Sequence, residues 1–172
     1  KPQINVGGHA HAAIRMFDVS YCKVENLEIS NFHQLFRELF KFGIRAGTWQ
    51  NASATDLEFN NIYVNKIRGS AVRGGNLGAI SNGEMCAGIR VGTDIRGSDP
   101  TGRTIYDVTI TNCTLIDVEQ HAIQLGDYID GLTVSNNNIN RAGYIGMLTM
   151  EINNGTIENN YLLNSGIYMT MA

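Results

Sequence analysis

DVTITNCTLIDVEQHAIQLG, residues 107–126, is restated downstream as DGLTVSNNNINRAGYIGML from Asp130 and NGTIENNYLLNSGIYM from Asn154. Aligned on Ile110, Val134 and Ile157, the copies step by 24 and 23 residues. Asparagine stands two places after each anchor (Asn112, Asn136, Asn159), and an aliphatic stands five places after it (Leu115, Ile139, Leu162). Short β-type triplets repeating at that interval are the pattern of a solenoid, in which each repeat is one turn of a coil.

The template extends upstream to Val24-Asn26-Ile29 and Phe59-Asn61-Val64. A second ladder precedes each anchor in the form small residue, Ile, polar residue: Ala13-Ile14-Arg15, Gly43-Ile44-Arg45, Gly88-Ile89-Arg90, Ala122-Ile123-Gln124 and Gly166-Ile167-Tyr168. Gly146-Met147-Leu148 fits it less cleanly. Alternate strand residues face opposite sides, so Ile14, Ile89 and Ile123 are expected inside while Arg15, Arg90 and Gln124 point out. Two ladders in fixed order predict an all-β chain folded as a parallel β-helix of about six coils. The ladder asparagines are expected to stack in one internal row. Asn and Gly also supply the left-handed backbone that tight turns need, and 2 prolines hardly interrupt the strands.

The 172 residues fit one domain, 1–172, and 43% hydrophobic residues suffice for a long, narrow core. With 17% charged residues and a net charge of -3, no global attraction to nucleic acid is implied. No apolar run approaches a membrane span. Three cysteines do not form a disulfide framework. Cys22 and Cys113 occupy template positions and are expected to pack, while Cys86 is expected in a loop. N-x-S/T sequons stand at Asn51, Asn112 and Asn154. The apolar last strand, 167–171, has no polar cap after it, so the chain is expected to be part of a longer protein or to stack end to end through its terminal coils.

Two steps exceed one coil. From Val24 to Phe59 the excess includes NFHQLFRELFK (31–41), whose apolar spacing predicts a short amphipathic helix or turn laid on the coil. Trp49 follows it, either stacking on a sugar or anchoring its loop. From Phe59 to Ile110 the excess divides into segments 68–87 and 93–104, which flank Gly88–Val91. Ser70–Arg73 resembles a strand start, so 68–87 is expected to hold part of an extra coil. The second segment concentrates Asp94, Arg96, Asp99 and Arg103. Long loops on a regular scaffold are where binding and chemistry concentrate. His9 and His11 face one side of a strand, but no third ligand stands near them in sequence and no metal is read there.

AAIRMFDVSYCKVENLEISNF, GIRVG, GRTIYDVTITNCTLIDV and HAIQLGDYIDGLTVSNNNI resemble the right-handed parallel β-helix proteins of the pectate-lyase-like superfamily. They are especially similar to secreted bacterial members associated with polysaccharide breakdown. The resemblance implies a secreted or surface protein that meets an extended carbohydrate along one face. Such a face serves a polysaccharide lyase, in which Arg or Lys takes a proton beside a uronate, a glycoside hydrolase with paired carboxylates, or a non-catalytic fibre or adhesin module. Calcium assists many of the lyases, but no matching aspartate cluster is found here, and no cofactor is read.

The residues point to a site on the third and fourth coils. Asp94 and Asp127 lie just past successive strands, within reach of the ~5–9 Å separation of glycosidase carboxylates, although Asp18 at the comparable place suits a turn. The outward row runs Arg15, Arg45, Arg90, Gln124 and Tyr168, with Arg73 joining if 70–74 is a strand. Stacked guanidiniums repel one another and become favourable when carboxylate or sulfate lies across them. The expected partner is an acidic polysaccharide, with Arg90, Asp94 and Asp127 nearest any chemistry.

Overall fold

The computed structural model describes residues 3–5, 12–32, 40–48, 53–67, 85–93, 104–126 and 128–171. Every strand pairing among them is parallel. Strands are numbered in chain order. One sheet stacks β1 (Gln3–Asn5), β4 (Glu28–Ser30), β7 (Tyr63–Ile67), β10 (Thr114–Val118), β13 (Asn138–Ala142) and β15 (Tyr161–Leu163). The second sheet curls through two faces. A front stack holds β2 (Ala12–Phe17), β5 (Phe40–Thr48), β8 (Met85–Thr93) and β11 (His121–Gly126). A side stack holds β3 (Cys22–Glu25), β6 (Ala54–Asn60), β9 (Ile105–Thr111) and β12 (Ile129–Ser135). The long β14 (Ile145–Glu158) serves both: its first half pairs with β11 and its second with β12. The last strand, β16 (Ile167–Met171), lies on β14. Each strand therefore pairs with its counterpart one repeat away, as a solenoid requires.

The two ladders are present as rows of registered residues. Val24, Phe59, Ile110, Val134 and Ile157 pair in succession. So do Ile29, Val64, Leu115, Ile139 and Leu162, and Ile14, Ile44, Ile89, Ile123, Met147 and Ile167. The middle members of all three rows are fully buried and form one interior cluster. The small residue before each front isoleucine has a steric cause. A Cβ on Gly43 would stand 2.5 Å from the Gly88 carbonyl oxygen, and one on Gly88 would stand 2.7 Å from the Leu115 side chain.

Several expectations are corrected. Phe59 pairs directly with Ile110, and β5 directly with β8, so no extra coil intervenes between them. Residues 68–84 lie outside the described residues. No helix occurs among the described residues. At the ends of the expected helix, Asn31 is left-handed (φ 56°), Phe32 is buried without helical structure, and Phe40 and Lys41 belong to β5; residues 33–39 are outside the described set. Cys86 is in strand β8 and buried, its thiol directed to the Ile67 carbonyl at 3.5 Å. His9 and His11 lie outside the described residues.

The ladder asparagines do not form an internal row. Asn26, Asn61, Asn112, Asn136 and Asn159 all adopt left-handed backbone, with φ between 53° and 57°. Four of them are exposed and Asn61 is half-exposed. Each makes the corner between side stack and first sheet, a conformation that Asn tolerates better than most residues. The turn swings the following residue inward, so the inner row is Leu27, Ile62, Cys113, Asn137 and Asn160. Asn137 Oδ1 accepts the Cys113 N–H at 2.8 Å, and its Nδ2 donates to the Ile110 carbonyl at 2.9 Å and to Asn160 Oδ1 at 2.9 Å. Asn160 Nδ2 donates to the Val134 carbonyl at 2.8 Å. The buried asparagine ladder is real, but it stands one residue further along the chain.

Candidate functional site on the front stack

On each front strand the glycine or alanine and the isoleucine after it face the interior, and the next side chain points out. Pairing places Arg15, Arg45, Arg90, Gln124 and Leu148 in one outward row, with Tyr168 next in backbone register. Arg45 pairs directly with Arg90, which leaves no rung between them for Arg73. Adjacent rungs of a sheet stand ~4.8 Å apart, so the three arginine positions span about two such spacings.

Phenylalanines interleave with the guanidiniums. Arg15 Cζ lies 4.8 Å from the Phe17 ring centre, and Arg45 Cζ lies 5.3 Å from Phe17 and 5.0 Å from Phe42. Arg90 Cζ is 5.7 Å from Phe42. Guanidiniums over ring faces are held in position while part of their charge is offset. Phe42 is fully buried yet is not part of the interior cluster, so it is a component of the outer face. Sequence reading missed both rings, although each stands two or three places from an outward arginine.

Exposure falls along the row: Arg15 is exposed, Arg45 half-buried, Arg90 8% exposed and Gln124 5% exposed. Outward does not mean open to water here. Glu58 on the side stack pairs with Lys23 at 3.0 Å.

A further residue joins the site. His121 shares a register row with Ala87 and Ile145, on the strand that carries Gln124. It is 3% exposed and its ring meets Tyr144 edge-on, with centroids 5.6 Å apart. Burial first, then the Arg90 charge, pushes its pKa down to about 4, opposed by a backbone hydrogen bond at Ile145. The ring is neutral at physiological pH. Nothing in the repeat marks it, because the same register position carries alanine in β2 and β8 and phenylalanine in β5.

Arg73, Asp94, Asp127 and Trp49 lie outside the described residues. Tyr168 takes its rung next to Leu148 in backbone register. The structure brings together Arg15, Arg45, Arg90 and Gln124 and adds His121, Tyr144, Phe17 and Phe42. Among the described residues no group of three or more His, Cys, Asp or Glu side chains is arranged to hold a metal ion.

Fold and site together define the class: an all-β chain of parallel strands in curled sheets, with a basic, aromatic-lined row on one outer face. No protein-family model matches the chain, and no curated protein or solved structure does.

Proposed function

We propose that this chain is a secreted or surface carbohydrate-active protein, a right-handed parallel β-helix of the pectate-lyase-like kind, that holds an extended acidic polysaccharide across its front stack. The observation that carries the reading is the registered row of Arg15, Arg45 and Arg90 on consecutive rungs. Three like charges about one strand spacing apart disfavour one another. Rings between them orient the guanidiniums. A chain of carboxylates or sulfates laid across it turns that repulsion into charge-assisted, bidentate hydrogen bonds. Chemistry of lyase or hydrolase type belongs at the Arg90 end. Asp94 and Asp127 follow β8 and β11 directly in sequence, and Trp49, Arg73 and Tyr168 complete the proposed contacts.

A non-catalytic fibre or adhesin module is the second reading, and the burial of Arg90 and Gln124 favours it, since a seam closed against its own chain needs no ligand. The deciding experiment compares neutral, uronic-acid and sulfated glycans on an array at low and moderate salt. Arg45→Ala and Arg90→Ala are carried alongside, and substrate depolymerisation is followed in parallel. Preferential binding of acidic glycans that weakens with salt and with both substitutions supports the proposal. Equal binding of neutral glycans, or indifference to both variants, leaves the structural module.

A further inference from the structure

The charges of this solenoid are sorted by face. The front strands β2, β5, β8, β11 and β16, with residues 145–150 of β14, carry Arg15, Lys41, Arg45 and Arg90 and no Asp or Glu. The side stack is the reverse. Strands β3, β6, β9 and β12, with residues 152–158 of β14, carry Glu25, Asp56, Glu58, Asp107, Asp130 and Glu158 against Lys23 alone. Six carboxylates and one lysine leave that face at -5 in a chain whose net charge is -3. Lys23 is committed to Glu25 at 3.1 Å and Glu58 at 3.0 Å. Asp56 and Asp107 are exposed on neighbouring rungs, and Asp130 follows on the next, paired with Tyr106. Asp56 accepts the Thr55 hydroxyl at 3.3 Å and Asp130 accepts the Asn154 amide at 2.6 Å. Among the described residues none of these three aspartates forms an ion pair. Tyr21, 80% exposed, stands one rung before Asp56, its N–H on the Thr55 carbonyl at 2.8 Å.

We infer that the front stack of one copy docks on the side stack of a second copy of this chain, arginine row against aspartate row. Both rows run across the strands with one charge per rung, so both repeat at the same ~4.8 Å. With the copies offset by one rung, Arg15 meets Asp56 and Arg45 meets Asp107. Arg15 is exposed and Arg45 half-buried, and both guanidiniums lie over the Phe17 ring. A guanidinium contacts a ring with its face and donates from its edge, so the ring contact is compatible with a carboxylate partner. Like net charges oppose association at long range, but screening confines that effect to about 10 Å at 0.1 M salt, and at contact the opposed rows dominate. The exposed Tyr21 and Tyr106 add the aromatic area that protein interfaces favour. Front and side are different surfaces, so the contact is heterologous: each docked copy still presents its other face, and assembly continues sideways. An acidic glycan on the arginine row competes with this docking, but the inference stands on the protein's own charges and not on the glycan reading.

Sedimentation velocity of the intact chain, with no glycan present, tests this. Arg15→Gln/Arg45→Gln removes the front charges, and Gln124 shows that the row accepts glutamine. Asp56→Asn/Asp107→Asn removes the side charges and keeps a residue suited to the left-handed backbone at both positions, φ 54°. Thermal melts establish that each variant is folded; if either double variant melts early, the single changes Arg15→Gln and Asp107→Asn, both at exposed positions, take its place. The wild type should form concentration-dependent species larger than a dimer at about 50 mM salt, weakened about tenfold or more at about 500 mM. Each variant alone should stay monomeric. Mixed, the two should give a one-to-one dimer and nothing larger, because between them they keep one intact front and one intact side. Wild type that remains monomeric up to about 1 mM in low salt overturns the inference. So does assembly indifferent to salt, a folded variant that still assembles alone, or a mixture that stays monomeric.

Discussion

Replacing Asn137 with alanine should unfold this protein more readily than any change to the more conspicuous Asn136 beside it. Asn137 is 1% exposed, and its amide saturates groups that no water can reach: the Cys113 N–H at 2.8 Å and the Ile110 carbonyl at 2.9 Å. Truncation strands both, along with the Asn160 Oδ1 that received its Nδ2 at 2.9 Å. The Asn160 oxygen keeps the Asn137 backbone N–H at 3.0 Å, so it contributes least. A stranded buried donor or acceptor costs ~1–3 kcal/mol, and two of them total roughly 2–5 kcal/mol. For a chain of this size that corresponds to a fall in Tm of about 5–15 °C. Asn136 is exposed, and its side chain reaches only the neighbouring Ser135 hydroxyl at 3.4 Å. Alanine there loses chiefly the tolerance for φ 57°, ~1 kcal/mol, and glycine should be close to neutral. Urea unfolding of both variants, with the m-value checked for constancy, makes the comparison. If Asn137→Ala costs no more than Asn136→Ala, the assignment of the buried ladder to the second asparagine is wrong.

Three other outcomes are expected. Gly88→Ala should destabilise by ~1–3 kcal/mol, because the new methyl meets Leu115 and the Ala122 carbonyl at 2.7 Å; a melt shows this directly. His121 has a depressed folded pKa of about 4 against the ordinary 6.5, so the unfolded chain takes up its proton first. Its contribution is complete above pH 6.5 and is lost as pH falls towards 4, on the order of 3 kcal/mol. Urea midpoints across that window should fall less steeply for His121→Phe than for the wild type. Exchanging Arg141 for Gln breaks its two-point contact with Asp117, the second arm of which is 2.8 Å long. It should leave the melt almost unchanged, since the arginine is exposed and water replaces the contact.

Much of the fold was legible because a solenoid prints its geometry as a period. Five anchors spaced unevenly in sequence fall on one row, since the template tests position within a turn rather than distance along the chain. Strand alternation then placed Ile89 inside and Arg90 outside correctly. It failed at the asparagine corner, where one left-handed residue resets which side the chain shows, and the inside position moved from Asn136 to Asn137. The site was less legible. Register brought the arginines together as expected, but alternation says which way a side chain points and not what lies over it, so the burial of Arg90 and Gln124 gave no signal. His121 was invisible for a related reason: its row holds Ala12, Phe42 and Ala87, a sequence with no common chemistry. The helix or turn over 31–41 was read from apolar spacing alone; Phe32 and Phe40 at its ends satisfy that spacing without being helical, and residues 33–39 lie outside the described residues.

The corner made by Asn26, Asn61, Asn112, Asn136 and Asn159 never varies: two residues separate side stack from first sheet at every turn, from 26–27 to 159–160. The other two corners absorb all the length differences, up to the seventeen positions between Ile67 and Met85. The molecule thus resembles a hinged ledger with one stitched spine, whose pages can be lengthened only along the edges that border the arginine row. Insertions and deletions during divergence have two permitted addresses, both beside the proposed site. Relatives of this chain should therefore change ligand by exchanging those segments while the asparagine spine keeps its count.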